Sequence, residues 1–170
     1  MQLHAVLIED SGWHAAQCLE IDIASQGNIR EEALRNLKEA LTLHFQFPIN
    51  SQLCLFQGDS DLVQSWDPSV VETFELKVEG FQQLAHANKA SKENFDCTNF
   101  ESDTFRKIRF KLEARGFTEV RQLNNHAKFV QRNNNEIRTA ILPHYLQICP
   151  AVLRSVLFQA GLSKEEFDKL

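Results

Sequence analysis

The sequence lacks a long apolar run. Nowhere in its 170 residues do the roughly 20 consecutive apolar residues of a membrane-spanning helix occur. It opens MQLHAVLIED, without a basic segment ahead of an apolar stretch, so the start does not resemble a secretion signal. These two absences predict a soluble, cytoplasmic protein with no membrane partner.

Cysteine is scarce and scattered. The four cysteines, Cys18, Cys54, Cys97 and Cys149, form no C-x-x-C pair and have no histidine at zinc-binding spacing. The pattern favours reduced thiols in a cytosolic protein over a disulfide framework or a zinc site. We therefore predict no metal and no cofactor.

The charge is divided unevenly along the chain. Residues 1–104 carry 6 Lys and Arg against 17 Asp and Glu, whereas residues 105–138 carry 9 against 3. The net charge of −5 therefore conceals an acidic module joined to a basic one. A concentrated basic face attracts phosphate backbones, and an acidic module in the same chain would compete with RNA for that face.

The hydrophobic pattern predicts an α+β protein of two domains, residues 1–80 and 104–170, with a linker over residues 81–103. The first domain is predicted to have the order β-β-β-α-β, with strands Gln2–Ile8, Trp13–Leu19, Ile21–Ala24 and Glu72–Glu79 and a helix over Ile29–His44. The second has the order α-β-β-β-α, with helices Phe105–Arg115 and Pro150–Ala160 around strands Thr118–Leu123, Lys128–Arg132 and Ile137–Ile141.

The second domain resembles the HicA toxins, which are small mRNA interferases with a double-stranded-RNA-binding-domain-like (dsRBD-like) fold. The matching segments are Gly116-Phe117, RQLNNHAKF at residues 121–129, Leu142-Pro143-His144 and LRSVLFQAGLSKEEF at residues 153–167. The first domain is similar to the HicB antitoxins through WHAAQCLEIDIASQG and the following EEALRNLKEAL. The resemblance implies a partial RNase H-like first domain, and an antitoxin and a toxin fused in one chain.

The resemblance implies that His126 is the catalytic residue of a metal-independent endoribonuclease. Imidazole can accept a proton from a ribose 2′-OH or donate one to the leaving oxygen near neutral pH. Lys128, two strand positions on, would point the same way and steady a phosphate. The other predicted RNA-binding residues are Arg121, Asn125, Arg132, Arg138 and His144.

One departure from the HicA pattern keeps the enzyme assignment open. Many HicA toxins have a Gly-Ser pair shortly before the histidine, where this chain has Leu123-Asn124-Asn125. A glycine there lets backbone amides approach a phosphate closely. The alternative to an active nuclease is a non-catalytic RNA-binding or protein-interaction protein that kept the fold.

The first domain is not predicted to be a metal nuclease, because strand Gln2–Ile8 contains no acidic residue. Its acids are instead predicted to form a surface that meets the basic domain: Glu9, Asp10, Glu20 and Asp22, with the more scattered Asp59, Asp61 and Asp67. That contact could form within one chain or between chains, and HicB-like modules tend to form homo-oligomers. No DNA-binding segment follows the fourth predicted strand, so DNA binding is not supported.

Overall fold

The computed structural model describes residues 2–10, 12–46, 71–75, 100–133 and 136–170. Over these residues the protein is mixed α+β, with two small antiparallel sheets and four helices, which agrees with the predicted α+β class. No helix in the described ranges is long and apolar enough to pass through a membrane.

Over the described residues, the first module contains one sheet and one helix. Its elements are β1 (Gln2–Asp10), β2 (Trp13–Cys18), β3 (Ala24–Gly27), α1 (Arg30–Gln46) and β4 (Val71–Glu75). The strands lie in the order β3-β2-β1-β4, all antiparallel. In the described residues the elements follow the predicted β-β-β-α-β order, and the part of the fourth predicted strand beyond residue 75 lies outside the described residues.

The third strand begins three residues later than predicted, at Ala24 rather than Ile21. The residues before it form a tight turn, in which the Cys18 N–H donates to the Ile23 carbonyl at 2.9 Å. Asp22 is buried in this turn, so the segment that was predicted as a strand instead presents a carboxylate to the second module.

The second module has a three-stranded sheet and three helices. Its elements are α2 (Phe105–Ala114), β5 (Thr118–Leu123), β6 (His126–Asn133), β7 (Glu136–Pro143), α3 (Pro150–Ala160) and the short α4 (Lys164–Asp168). The strand order is β5-β6-β7. Gly116 and Gly161, which follow α2 and α3, have φ of +96° and +63°, the left-handed geometry that glycine adopts at helix ends.

The sheet of the second module has two covered faces. One face carries Ala127, Phe129, Ala140 and Leu142, which share a buried core with apolar residues of α2, α3 and α4. The other face carries His126, Lys128 and Ile141, since side chains alternate along a strand. This second face is covered by α1 of the first module.

Helix α1 therefore contacts both sheets. Its apolar side chains pack with β1 and β2, in a core that also includes Ile141 of β7. In return, Ala15 of β2 and Ala24 of β3 belong to the core of the second module. The two modules thus share buried apolar surface within this one chain, which positions the site described below.

Candidate functional site

His126, the predicted catalytic residue, is the first residue of β6 and is completely buried. Its Nε2 lies 2.8 Å from Ser25 Oγ of β3, and its Nδ1 lies 2.8 Å from Glu39 Oε1 of α1. Burial lowers the pKa of His126 below its ordinary value, although the carboxylate of Glu39 opposes the shift. The imidazole is therefore neutral near pH 7, held by the first module on both sides.

Glu39 collects hydrogen bonds from the turn that joins β5 to β6. The Asn124 side-chain amide donates to Oε2 at 3.0 Å, the Asn125 backbone N–H donates to Oε1 at 2.9 Å, and His126 Nδ1 completes the set. Burial alone raises the pKa of Glu39, but the hydrogen bonds from His126, Asn124 and Asn125 outweigh it and hold the pKa below its ordinary value. The side chain is therefore an anion fixed by three donors.

Lys128 lies on the same face of β6 as His126, as the alternation of the strand predicts. It is almost fully buried, and its Nζ donates to the His44 carbonyl near the end of α1 at 3.0 Å. Burial lowers the pKa of Lys128 to about 8. Burial, and the nearby charge of Lys128, lower the pKa of the His44 imidazole to about 3.

An ion pair that the sequence did not predict joins the modules at a second place. Arg154 of α3 donates to both carboxylate oxygens of Asp22, at 2.8 and 3.2 Å, and both side chains are buried. Ser155 Oγ donates to the Asp22 carbonyl at 2.9 Å. Burial raises the pKa of Asp22, and Arg154 opposes that rise.

Gln26 of β3 supplies a third link. Its side-chain oxygen accepts from the Cys149 N–H and its side-chain amide donates to the Gln147 carbonyl, both at 2.8 Å. Nearby, the ring of Trp13 meets the ring of Tyr145 edge-on, with centroids 5.5 Å apart. The contact between the modules is thus built from specific polar groups as well as apolar surface.

Four of the other predicted RNA-binding residues lie either at the turn before His126 or on the sheet face of Lys128. Asn125 is next to His126, and its carbonyl accepts from the His144 N–H at 2.6 Å. Arg121 of β5 is the register partner of Lys128 and shares its face, and Arg132 follows Lys128 on β6. Both arginines are exposed.

Arg138 does not join this group. Its register partner is Gln131, which lies on the opposite face of the sheet from Lys128. Arg138 donates to the Ala160 and Gly161 carbonyls at the end of α3 and pairs with Glu136 at 3.0 Å. Its contacts stabilise a helix end, so the structure separates it from the other predicted positions.

The acidic surface predicted to meet the second module is largely a different set of residues. Asp22 does meet it, but the other carboxylates at the contact are Glu32 and Glu39 of α1. Glu20 instead accepts from His4 within its own module. Asp59, Asp61 and Asp67 lie outside the described residues.

Ser25, His126 and Glu39 stand in the order of a serine–histidine–carboxylate triad, with both hydrogen bonds at 2.8 Å. The serine and the histidine are nevertheless completely buried, so no substrate can reach the hydroxyl in this arrangement. The three side chains therefore act as a closed link between the modules. Across the described ranges, no group of three or more His, Cys, Asp or Glu side chains could hold a metal ion.

Comparisons of the chain with protein-family models, with curated proteins and with solved structures find no match.

Proposed function

We propose that the chain is a fused HicB–HicA-like toxin–antitoxin protein, in which the second module is an RNA-binding, metal-independent endoribonuclease and the first module masks it. The specific fold assignments, partial RNase H-like and dsRBD-like, belong to this proposal. The observation that carries it is the enclosure of His126 between Ser25 and Glu39, two groups of the other module.

The proposed chemistry needs only groups of the second module once its sheet face is uncovered. His126 would exchange a proton with the ribose 2′-OH, and Lys128 on the same face would hold a phosphate as a point charge. Arg121, which pairs with Lys128 in register, would extend the basic surface along the sheet. In the closed chain the functional groups of His126 and Lys128 contact the first module instead.

The turn before His126 supports phosphate binding despite the missing Gly-Ser pair. Asn124 has φ of +41°, a left-handed conformation that asparagine tolerates better than most residues. The turn directs the Asn125 N–H at a carboxylate. A left-handed residue in this turn, supplied by asparagine instead of glycine, therefore supports phosphate binding.

Masking within one chain is favoured by the tether. The predicted linker of about 20 residues gives the modules an effective concentration on the order of millimolar, so even a weak contact is mostly formed. The buried pair between Asp22 and Arg154 makes this contact specific. Activity then requires that the contact open, by linker cleavage or by exchange between chains of a homo-oligomer.

The complete burial of His126 also favours a second candidate, a permanently quiet RNA-binding protein that no longer cuts. Cleavage of single-stranded RNA in the presence of a chelator separates the two. We expect full-length Asp22→Arg, in which two arginines face each other across the contact, to cut RNA, and Asp22→Arg with His126→Ala to leave it intact. If Asp22→Arg binds RNA without cutting it, the quiet RNA-binding protein is the better description.

A further inference from the structure

The Glu39 carboxylate is bound in an unusual way for an interface acid. The described contacts to it come from three consecutive residues, Asn124, Asn125 and His126, and each of them donates a hydrogen bond at 2.8–3.0 Å. All three donors are neutral groups: a side-chain amide, a backbone N–H and an imidazole. By contrast, Asp22, a buried acid at the contact, is held by the guanidinium of Arg154.

Three neutral donors that converge from one turn are the arrangement with which proteins bind phosphate and other oxyanions. The turn is already set for this role by the positive φ of Asn124. Lys128 lies two positions along the same strand face, with its ammonium at the His44 carbonyl of α1. The donors therefore suit a negatively charged ligand with oxygen acceptors, and the Glu39 carboxylate is a ligand of this kind.

The position can also be reached from solvent. Asn124 and Asn125 are exposed, and the Glu39 side chain retains 17% of its accessible surface. A rotation of the Glu39 side chain would uncover the Asn124 amide and the Asn125 N–H without separation of the modules. An oxyanion could therefore compete with Glu39 before the contact opens.

We propose that the Asn124–His126 turn is a phosphate site and that the Glu39 carboxylate occupies it in place of a backbone phosphate of RNA. This rests on the proposed function for the identity of the ligand, but the site itself is defined by its donors. It gives the masking a specific mechanism, in which RNA and Glu39 compete for the same three hydrogen bonds. A phosphate-rich ligand would then help to open the chain that encloses His126.

The test uses the full-length, ¹⁵N-labelled chain titrated with inorganic phosphate at constant ionic strength, with chloride as the reference anion. Glu39→Gln removes the charge and offers the donors an amide in place of the carboxylate. Glu31→Gln, on the exposed surface of the same helix, is the matched control because it removes the same charge. Glu39→Asp, which withdraws the carboxylate by one methylene, serves as the second variant should Glu39→Gln fold poorly.

We expect phosphate to shift the Asn125 backbone amide and the Asn124 side-chain amide of Glu39→Gln in a saturable way, with affinity at least roughly tenfold above that of the wild type. Glu31→Gln should behave as the wild type. The proposal is overturned if a folded Glu39 variant shows no saturable shift at Asn125, or the same shift as Glu31→Gln.

Titration with a short single-stranded RNA distinguishes the source of the phosphate. Tighter binding of RNA than of inorganic phosphate by Glu39→Gln supports a backbone phosphate as the ligand, and equal binding overturns that part of the proposal. RNA cleavage by Asp22→Arg, in which the contact between the modules is broken, separates the two proposals. If phosphate binds to Glu39→Gln and Asp22→Arg leaves RNA intact, the phosphate site stands and the nuclease fails. If Asp22→Arg cuts RNA while Asn125 of Glu39→Gln does not respond to phosphate, the nuclease stands and the phosphate site fails.

Discussion

Reversal of one side of the buried ion pair, by Asp22→Arg, should loosen the contact between the modules. Breaking a buried ion pair by loss of one partner typically costs about 3–5 kcal/mol, because the remaining charge is left without compensation. Here Arg154 would face a second guanidinium instead of the carboxylate that now accepts two of its hydrogen bonds. We therefore expect a loss of about 5 kcal/mol, the upper end of that range, which corresponds to a change of roughly four-thousandfold in the ratio of closed to open chain.

Urea unfolding followed by two probes measures this loss. Far-UV circular dichroism reports both modules, and Trp13 fluorescence reports the contact because the Trp13 ring lies against Tyr145 of the second module. Replacement of Trp66, the other tryptophan, by phenylalanine makes Trp13 the only indole emitter. In the wild type the two probes should give one shared transition, whereas in Asp22→Arg the Trp13 transition should move to lower urea.

The charge-swapped chain, Asp22→Arg with Arg154→Asp, is the control for this prediction. It restores opposite charges at the same place and should recover at least about half of the lost stability. Asp22→Ala, which adds no bulk to the turn, should be destabilised as well. The reasoning is refuted if Asp22→Arg costs less than about 1 kcal/mol, or if the swapped chain is as unstable as the single reversal.

Three further predictions follow from the same contacts. The free energy of unfolding should fall with acidification, because burial holds the pKa values of His126 and His44 below their ordinary value of 6.5 and the unfolded chain therefore binds more protons. The stability that these residues contribute above pH 6.5 is lost as the pH falls towards their pKa values in the folded chain. Urea midpoints between about pH 7.5 and about pH 5 check this, and a midpoint that rises on acidification contradicts it. Gly27→Ala should cost about 1–3 kcal/mol, because a Cβ there would lie 2.5 Å from the Ala33 backbone nitrogen at the start of α1; calorimetric Tm values test this, and an unchanged Tm would show that α1 can shift. In the Asp22→Arg background, Lys128→Met should weaken RNA binding several-fold, whereas Arg138→Met should not, because Arg138 lies on the opposite face of the sheet; equal effects in fluorescence anisotropy would place RNA elsewhere.

Local signals predicted much of the fold. Helix α3 is followed by Gly161, and Ser163 with Glu166 forms a capping box at the start of α4. Such helix ends depend on residues only a few positions apart. Strand β5 and helix α3 have the predicted bounds for the same reason. The third strand was placed wrongly because apolar Ile21 and Ile23 suit a strand by composition, whereas the turn is fixed by burial of Asp22 against another module.

The site was only partly predictable. The alternation along β6 correctly put His126 and Lys128 on one face. The partners of these residues could not be derived, since Ser25 and Glu39 lie 101 and 87 residues away from His126 in sequence. Burial of Arg154 could have been predicted, because it is the only charged residue in the mostly apolar segment PAVLRSVLF. A charged side chain in such a segment is usually buried only with a partner of opposite charge.

Fluorescence anisotropy with a labelled single-stranded RNA shows whether the first module masks an RNA-binding face of the second. It compares three full-length chains: the wild type, Asp22→Arg, and the charge-swapped chain. We expect weak binding by the wild type, binding at least roughly tenfold tighter by Asp22→Arg, and a return to weak binding by the swapped chain. Equal RNA affinity in all three folded chains, whether strong or absent, would mean that the first module does not mask such a face.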